Sequence, residues 1–244
     1  MKKIKRPTLT IGIPAYNEEA NIGKLLRCLL AQKQETYHLR KIIVVSDGST
    51  DNTGEVVRAV KSEKVRLITD RVRRGQQAAQ NSILRTTLSD IVVFIEADTL
   101  PECDDTIQQL IDPLIADNHL GMSVGQCIAR KPSVLQGRVI YANHIWKSSI
   151  ISEWRNGINI YSVRGQAMKA LSKHFYENLV WPNNVPEDTF VYLKAKESNL
   201  GIVRTEKAKA YFNLPSTLGD KVRRNAKYYA GKNSLRRYFS EILL

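Results

Sequence analysis

Four short β-prone runs in the first hundred residues each end in a polar turn and are followed by a helical pattern, and no other feature restricts the fold as much. The runs are Thr8–Ile13, Lys41–Ser46, Val65–Thr69 and Ile91–Ile95. Between them, Glu18–Ala31 carries Ile22, Leu25, Leu26, Leu29 and Leu30 at helical spacing, a second helix starts near Asp51 or Asn52, and Gln76–Leu88 forms a third. Continuous apolar strands that alternate with helices predict a mostly parallel sheet with helices on both faces. A helix over Asp104–Ala116 and a strand over Met122–Ala129 continue the pattern.

The second half is less regular. Val134–Trp154 reads as one long amphipathic helix, Ile158–Arg164 as a strand, Gly165–Phe175 as a short helix and Leu179–Pro186 as a loop rich in Trp, Pro and Asn. Asp188–Glu197 is helical, Ile202–Phe212 mostly extended and Leu218–Ser240 helical and basic. Within the long helix, Tyr141, Ile145, Trp146, Ile150 and Trp154 read as core or groove packing rather than as a membrane anchor. No linker separates the halves, so one compact α/β unit is expected.

Composition narrows the partners. At 43% hydrophobic and 25% charged, the chain is excluded from the disordered, collagen-like and coiled-coil classes. Its 37 Lys and Arg exceed 24 Asp and Glu, a net charge of +13 that favours phosphates, nucleic acid or an anionic membrane surface. Charge alone prompts the nucleic-acid reading, and no nucleic-acid motif accompanies it. Cys28, Cys103 and Cys127 lack metal or disulfide spacing and suit a reducing, cytoplasmic compartment. The basic start, Met1–Arg6, precedes an apolar stretch that Pro14 interrupts, which fits a first strand better than a signal peptide. The most apolar run, Ile91–Ile95, is too short to span a bilayer, and a soluble chain is expected.

In open parallel sheets, ligands bind beyond the carboxyl ends of the strands. Those ends carry Pro14-Ala15-Tyr16-Asn17-Glu18-Glu19, Asp47-Gly48-Ser49-Thr50-Asp51-Asn52-Thr53, Asp70-Arg71-Val72-Arg73-Arg74-Gly75 and Glu96-Ala97-Asp98. Taken singly, each has a plain explanation as a capped turn, a solvated charge run or a polar turn. Together they offer a carboxylate for a nucleoside, arginines for a diphosphate and, in Asp98, oxygen for a hard divalent cation.

On these residues the chain resembles the inverting family-2 nucleotide-sugar glycosyltransferases of the GT-A fold, from about Thr8 to Gly231. Gly75-Gln76-Gln77-Ala78-Ala79-Gln80-Asn81 is similar to the family's glycine-led helix start. The resemblance implies that residues of about 8–130 bind the nucleotide-sugar and that about 131–244 bind the acceptor. It implies that Asp47 and the Pro14, Ala15, Tyr16 and Glu18 loop hold base and ribose, with Arg71, Arg74 and Gly75 aiding base or phosphate. Glu96-Ala97-Asp98 stands where the family keeps an Asp-X-Asp motif, so Asp98, with Glu96 departing from the pattern, is the expected ligand for Mg2+ or Mn2+. Pro186-Glu187-Asp188-Thr189 is similar to the Glu-Asp motif, which makes Asp188 the implied general base and places Glu187 beside the acceptor and diphosphate. A helix-start acid is otherwise a common dipole-favourable placement.

Arg224, Lys227 and Tyr228 align with the family's Gln-X-X-Arg-Trp helix but depart from it at all three positions. Lys227 keeps the charge without the planar fork, and Tyr228 keeps an aromatic face. The Glu-Asp pair sets the chain nearer the polysaccharide- and glycolipid-synthase branches than the dolichol-phosphate mannose synthases. The implied activity is metal-assisted, inverting transfer of a sugar from a nucleoside-diphosphate donor, UDP by default, to a carbohydrate or lipid hydroxyl. The altered motifs keep a second reading open: a non-catalytic nucleotide-sugar or glycan-binding module. Ten Lys and Arg against three acids between Gly201 and Leu244 suggest a peripheral contact with the inner membrane face. The other reading of that stretch is a solvated helix whose apolar face docks on the core.

Overall fold

The computed structural model describes residues 6–154, 163 and 166–214, and in the C-terminal stretch 217–219, 222, 226, 234, 235 and 237–239. The strands are β1 (Thr8–Ala15), β2 (His38–Asp47), β3 (Val65–Asp70), β4 (Ile91–Ile95), β5 (Leu100–Pro101), β6 (Leu120–Ala129), β7 (Met168–Ser172) and β8 (Gly201–Phe212). The helices are α1 (Ile22–Leu30), α2 (Thr53–Ala59), α3 (Gln76–Thr86), α4 (Thr106–Ala116), α5 (Leu135–Trp154), α6 (Lys173–Tyr176) and α7 (Glu187–Glu197). All eight strands join one sheet in the order β3-β2-β1-β4-β7-β6-β8-β5. The pairings β3–β2, β2–β1, β1–β4 and β6–β8 are parallel, whereas β7 runs against β4 and β6, and β5 against β8.

Alternate residues of each inner strand feed two cores. Ile42 and Val44 of β2 face one side with Leu25, Leu26 and Leu29 of α1 and Ile107, Leu110 and Ile111 of α4. Ile43 and Val45 face the other with Ile83 of α3, Phe175 of α6, Trp181, and Phe190 and Val191 of α7. Burial on both faces is why these strands lack a polar alternation.

Two expectations change. The helix expected over Gly165–Phe175 is instead β7 followed by the single turn α6. Met, Lys, Ala and Leu favour a helix in isolation, but this segment fills the slot between β4 and β6, and all five β7 residues are buried. Tertiary packing overrides such local preference. In α5, Ile145 is 46% and Trp146 62% exposed, so neither is core; the helix lies outside the sheet, and Val134, Leu135 and Val139 nearby are exposed as well. The two-residue β5 has no periodicity to announce it. The strand expected over Ile158–Arg164 falls outside the described residues except for Val163, which is buried. Arg224, Lys227 and Tyr228 also lie outside them. Of the basic C-terminal stretch, Leu235 and Phe239 are buried in the α7 core, with the Phe239 ring 5.4 Å from Phe190, as the docked reading expects. Among the described residues no helix is long and apolar enough to cross a membrane.

Candidate active site

Sheet register brings the polar turns to one rim. Ala15 pairs with Ser46, Asp47 with Asp70, and Ile95 with Met168, so β1, β2, β3 and β4 end where the antiparallel β7 begins. The first two loops are stitched together. The Thr50 N–H donates to Asn17 Oδ1 (2.8 Å), the Glu18 N–H to Thr53 Oγ1 (2.8 Å), and the Asn52 N–H to Glu19 Oε2 (2.9 Å). Tyr16 lies beneath Arg73, whose guanidinium carbon is 3.6 Å from the ring centroid, a cation–π contact. Arg74 pairs with Asp70 at 2.6 Å.

Asp47 ties the second loop to the third. Its buried carboxylate accepts the N–H of Arg74 on Oδ1 and of Gly75 on Oδ2, both at 2.7 Å. Gly48 makes this approach possible: its φ is +67°, and a Cβ there would lie 2.5 Å from the Arg73 backbone nitrogen. Asp47 therefore organises the loop that carries Arg71, Arg74 and Gly75, so that Tyr16, Arg73 and Asp47 form one connected wall.

The Glu-Asp turn is held from beneath. Lys169, the second residue of β7 and only 3% exposed, forms ion pairs with Asp188 and, at 3.2 Å, with Glu187. Gln80 of α3 donates its Nε2–H to Glu187 Oε2 at 2.7 Å. Burial alone would lower the Lys169 pKa, but the charges of Asp188 and Glu187 outweigh it and raise the value. Burial would likewise raise that of Glu187, and Lys169 brings it below the ordinary carboxylate value. Removing one partner from such a buried pair costs about 3–5 kcal/mol because a charge is stranded. The preceding loop is anchored by α3: Gln77 Nε2 donates to the Val185 carbonyl, and Asn81 exchanges two hydrogen bonds with the Trp181 backbone. The Trp181 indole N–H in turn reaches the Glu187 carbonyl at 3.3 Å.

The two acids after β4 face different spaces. Glu96 lines a small cavity with Pro14, Gln80, Gln166, Lys169 and Glu187. Asp98 lines a larger cleft with Asn21, Lys24, Arg130 and Asn213. With a single carboxylate and the cations Lys24 and Arg130 in its lining, the cleft is a poor site for a bare divalent cation and fits one only when substrate phosphates complete the ligand set. Asp98 offers a carboxylate beside two neutral amide side chains, and no group of three His, Cys, Asp or Glu able to hold a metal occurs among the described residues. One carboxylate plus substrate phosphates is a common way to bind Mg2+.

Cys127 of β6 is partly buried and accepts the Ala167 N–H at 3.1 Å, and loss of water around it pushes its thiol up to about 12, with the Glu96 and Asp188 charges adding to the rise. It therefore stays neutral near neutral pH. Brief iodoacetamide treatment of the folded protein should label the exposed Cys103 first and leave Cys127 unmodified, as peptide mass spectrometry would read.

Sequence reading missed Lys169, Gln80 and Trp181. A lysine in a segment read as a helix looks like a surface residue; had Met168–Ser172 been recognised as an inner strand, a charge within it would have demanded a buried partner. The amides of Gln77, Gln80 and Asn81 were seen only as part of a helix start.

The rim at the ends of the parallel strands gathers an aromatic ring, arginines and a half-buried carboxylate pair, an arrangement suited to an anionic ligand bound at the strand ends of an α/β sheet. The model of glycosyl transferase family 2 matches residues 10–180, and the chain belongs to that family. Poly-β-1,6-N-acetyl-D-glucosamine synthase of Staphylococcus aureus is 30% identical over 132 residues, which is 54% of this chain and 31% of that protein. An uncharacterised glycosyltransferase of Haemophilus influenzae is 30% identical over 122 residues, 49% of this chain and 46% of the relative. The chain thus spans less than half the length of either. In fold it is similar to a mannosyltransferase of Pyrobaculum calidifontis in complex with GDP-Man and Mn2+ (TM-score 0.71, 22% identity, 91% of this chain and 61% of that one). It is also similar to glucosyl-3-phosphoglycerate synthase of Mycobacterium tuberculosis in complex with Mn2+, UDP and phosphoglyceric acid (TM-score 0.63, 20% identity, 89% and 74%). The fold is GT-A, as expected.

Proposed function

We propose that this protein transfers a sugar, with inversion, from a nucleoside-diphosphate sugar to an acceptor hydroxyl, and that Asp188 is the general base. The observation that carries the reading is the Glu187–Asp188 pair, held by a buried lysine at the start of α7, on the rim where the strand-end loops meet. Inverting displacement needs one carboxylate on the face opposite the leaving group, and Asp188 takes that part. Tyr16, with Pro14, Ala15 and Glu18 of the same loop, receives base and ribose. Asp47 shapes the adjoining loop, and Arg71 and Arg74 supply positive charge. Asp98 would hold a divalent cation, Mg2+ or Mn2+, together with the donor phosphates, and such a cation would supply charge neutralisation for the leaving diphosphate. Glu96, on the Lys169 side, is assigned no metal contact.

The donor is read as UDP-linked because UDP and the N-acetylglucosamine polymer occur in the names of the structural and curated relatives. The acceptor is a carbohydrate or a lipid in polysaccharide or glycolipid synthesis, met by residues beyond about 131. Three free cysteines suit the cytoplasm, and the net charge of +13 suits a peripheral contact with an anionic membrane.

A thermal-shift panel of UDP, GDP and other nucleoside diphosphates, each with and without Mn2+, followed by an assay of nucleotide release from the matching sugar donors, tests the reading. A UDP response that requires Mn2+, with release from one UDP-sugar, is the expected result. Binding with no turnover across donors and acceptors would favour the binding-module reading. No response to any nucleotide would overturn both.

A further inference from the structure

We propose that Lys169 is the positioning residue for Asp188: its buried ammonium holds Asp188 and Glu187 side by side as carboxylates, so that Asp188 enters the reaction in its base form. The inference rests on the reading of Asp188 as the base. Lys169 rises from the second position of β7, a strand buried on both sides, and makes ion pairs with both acids. Gln80 donates to the Glu187 oxygen that Lys169 also contacts, which fixes that carboxylate from α3. Glu187 and Asp188 both meet the one Lys169 ammonium, which brings their carboxylates side by side. Two half-buried carboxylates held side by side disfavour each other's ionisation, and one cation that contacts both offsets the repulsion. Among the described residues, the charged and titratable groups around Asp188 include Lys169 of β7, Glu187 of α7, the neutral thiol of Cys127 on β6 and, lining the cavity beside Lys169, Glu96 after β4.

In the transfer step, the acceptor O–H proton goes to the Asp188 carboxylate while the acceptor oxygen bonds to the anomeric carbon. The bond from that carbon to the diphosphate oxygen breaks, and the electron pair leaves with the diphosphate. Lys169 keeps its protons throughout. Its part is electrostatic: Asp188 is ready at neutral pH, and Glu187 offsets enough positive charge that Asp188 remains a usable base.

Lys169→Met keeps most of the volume and removes the charge. The two carboxylates should then share a proton, and the acid limb of the kcat/KM profile for nucleotide release should move up by at least about one pH unit, with donor KM nearly unchanged and activity regained at alkaline pH. Glu187→Gln keeps the Lys169–Asp188 pair and removes the like charge, so its limb should move down. This second variant keeps the test open if Lys169→Met folds poorly. A readout free of activity is stability against pH. In the wild type Glu187 is depressed, so the contribution of the pair is present above the ordinary carboxylate value of 4.5 and lost as pH falls below it. In Lys169→Met the shared carboxylates are raised, and the cost appears as pH rises, so the melting-temperature gap should be wider near about pH 8 than near about pH 5.

Uniform loss of activity at every pH, with an unmoved acid limb in either folded variant, would overturn the role of Lys169. If Asp188→Asn retained full turnover, the base reading itself would fail. If Asp188→Asn were inactive while the limbs stayed put, only the Lys169 proposal would fail.

Discussion

Asp188→Asn is expected to lower kcat for nucleotide release by about two to four orders of magnitude, the usual contribution of a positioned general base. Donor binding should change little, because Tyr16, Asp47 and the arginines stand on the loops after β1, β2 and β3, and Asp188 is assigned to the acceptor hydroxyl rather than to the nucleotide. The fold should also survive, since Lys169 keeps its pair with Glu187 and Gln80 continues to hold that carboxylate. Calorimetry of donor-nucleotide binding alongside stopped-time release assays checks both halves. Normal turnover in a folded Asp188→Asn protein would remove the base assignment, and equal loss of binding and turnover would make the residue part of the donor site.

Trp181→Ala is expected to cost about 3–5 kcal/mol of stability, the usual range for deleting a large buried aromatic. Trp181 is 1% exposed, and its ring meets Phe94 of β4 edge-on with centroids 5.5 Å apart. In a domain of this size such a loss corresponds to a fall of roughly 6–20 °C in melting temperature, which a thermal denaturation scan reads directly. The residue also links the sheet to the site, because its indole N–H holds the Glu187 carbonyl at the first turn of α7. Trp181→Phe retains the packing and loses that bond, so it should cost only about 0.5–1.5 kcal/mol. Full stability in Trp181→Ala would mean that the loop before α7 is not anchored as described.

Much of the frame was legible in the sequence because its signals are local. Ile91–Ile95 matched β4 residue for residue, and the expected Gln76 start of α3 and Ala116 end of α4 agree with the structure. The rim was legible too, since every parallel strand must deliver its following turn to the same edge. The β7 segment was not. Its residues favour a helix locally, and only the vacancy between β4 and β6 makes them a strand. With that strand misread, the buried cation of the site went unseen. Asp47 gains a second part that its motif does not announce: each of its oxygens accepts one backbone N–H, from Arg74 and Gly75 across the rim, and keeps a lone pair for a ligand.

What the sequence alone determined is the alternation of strand and helix, the edge on which the polar turns gather and the family signatures within those turns, because apolar periodicity and turn chemistry act over a few residues. The tertiary structure decided that β7 inserts antiparallel, that Lys169 is buried against Glu187 and Asp188, and that Glu96 and Asp98 face separate spaces. Those outcomes depend on which surfaces meet across distant parts of the chain, and on the cost of leaving a buried charge without a counter-charge, neither of which is written in any single stretch of residues.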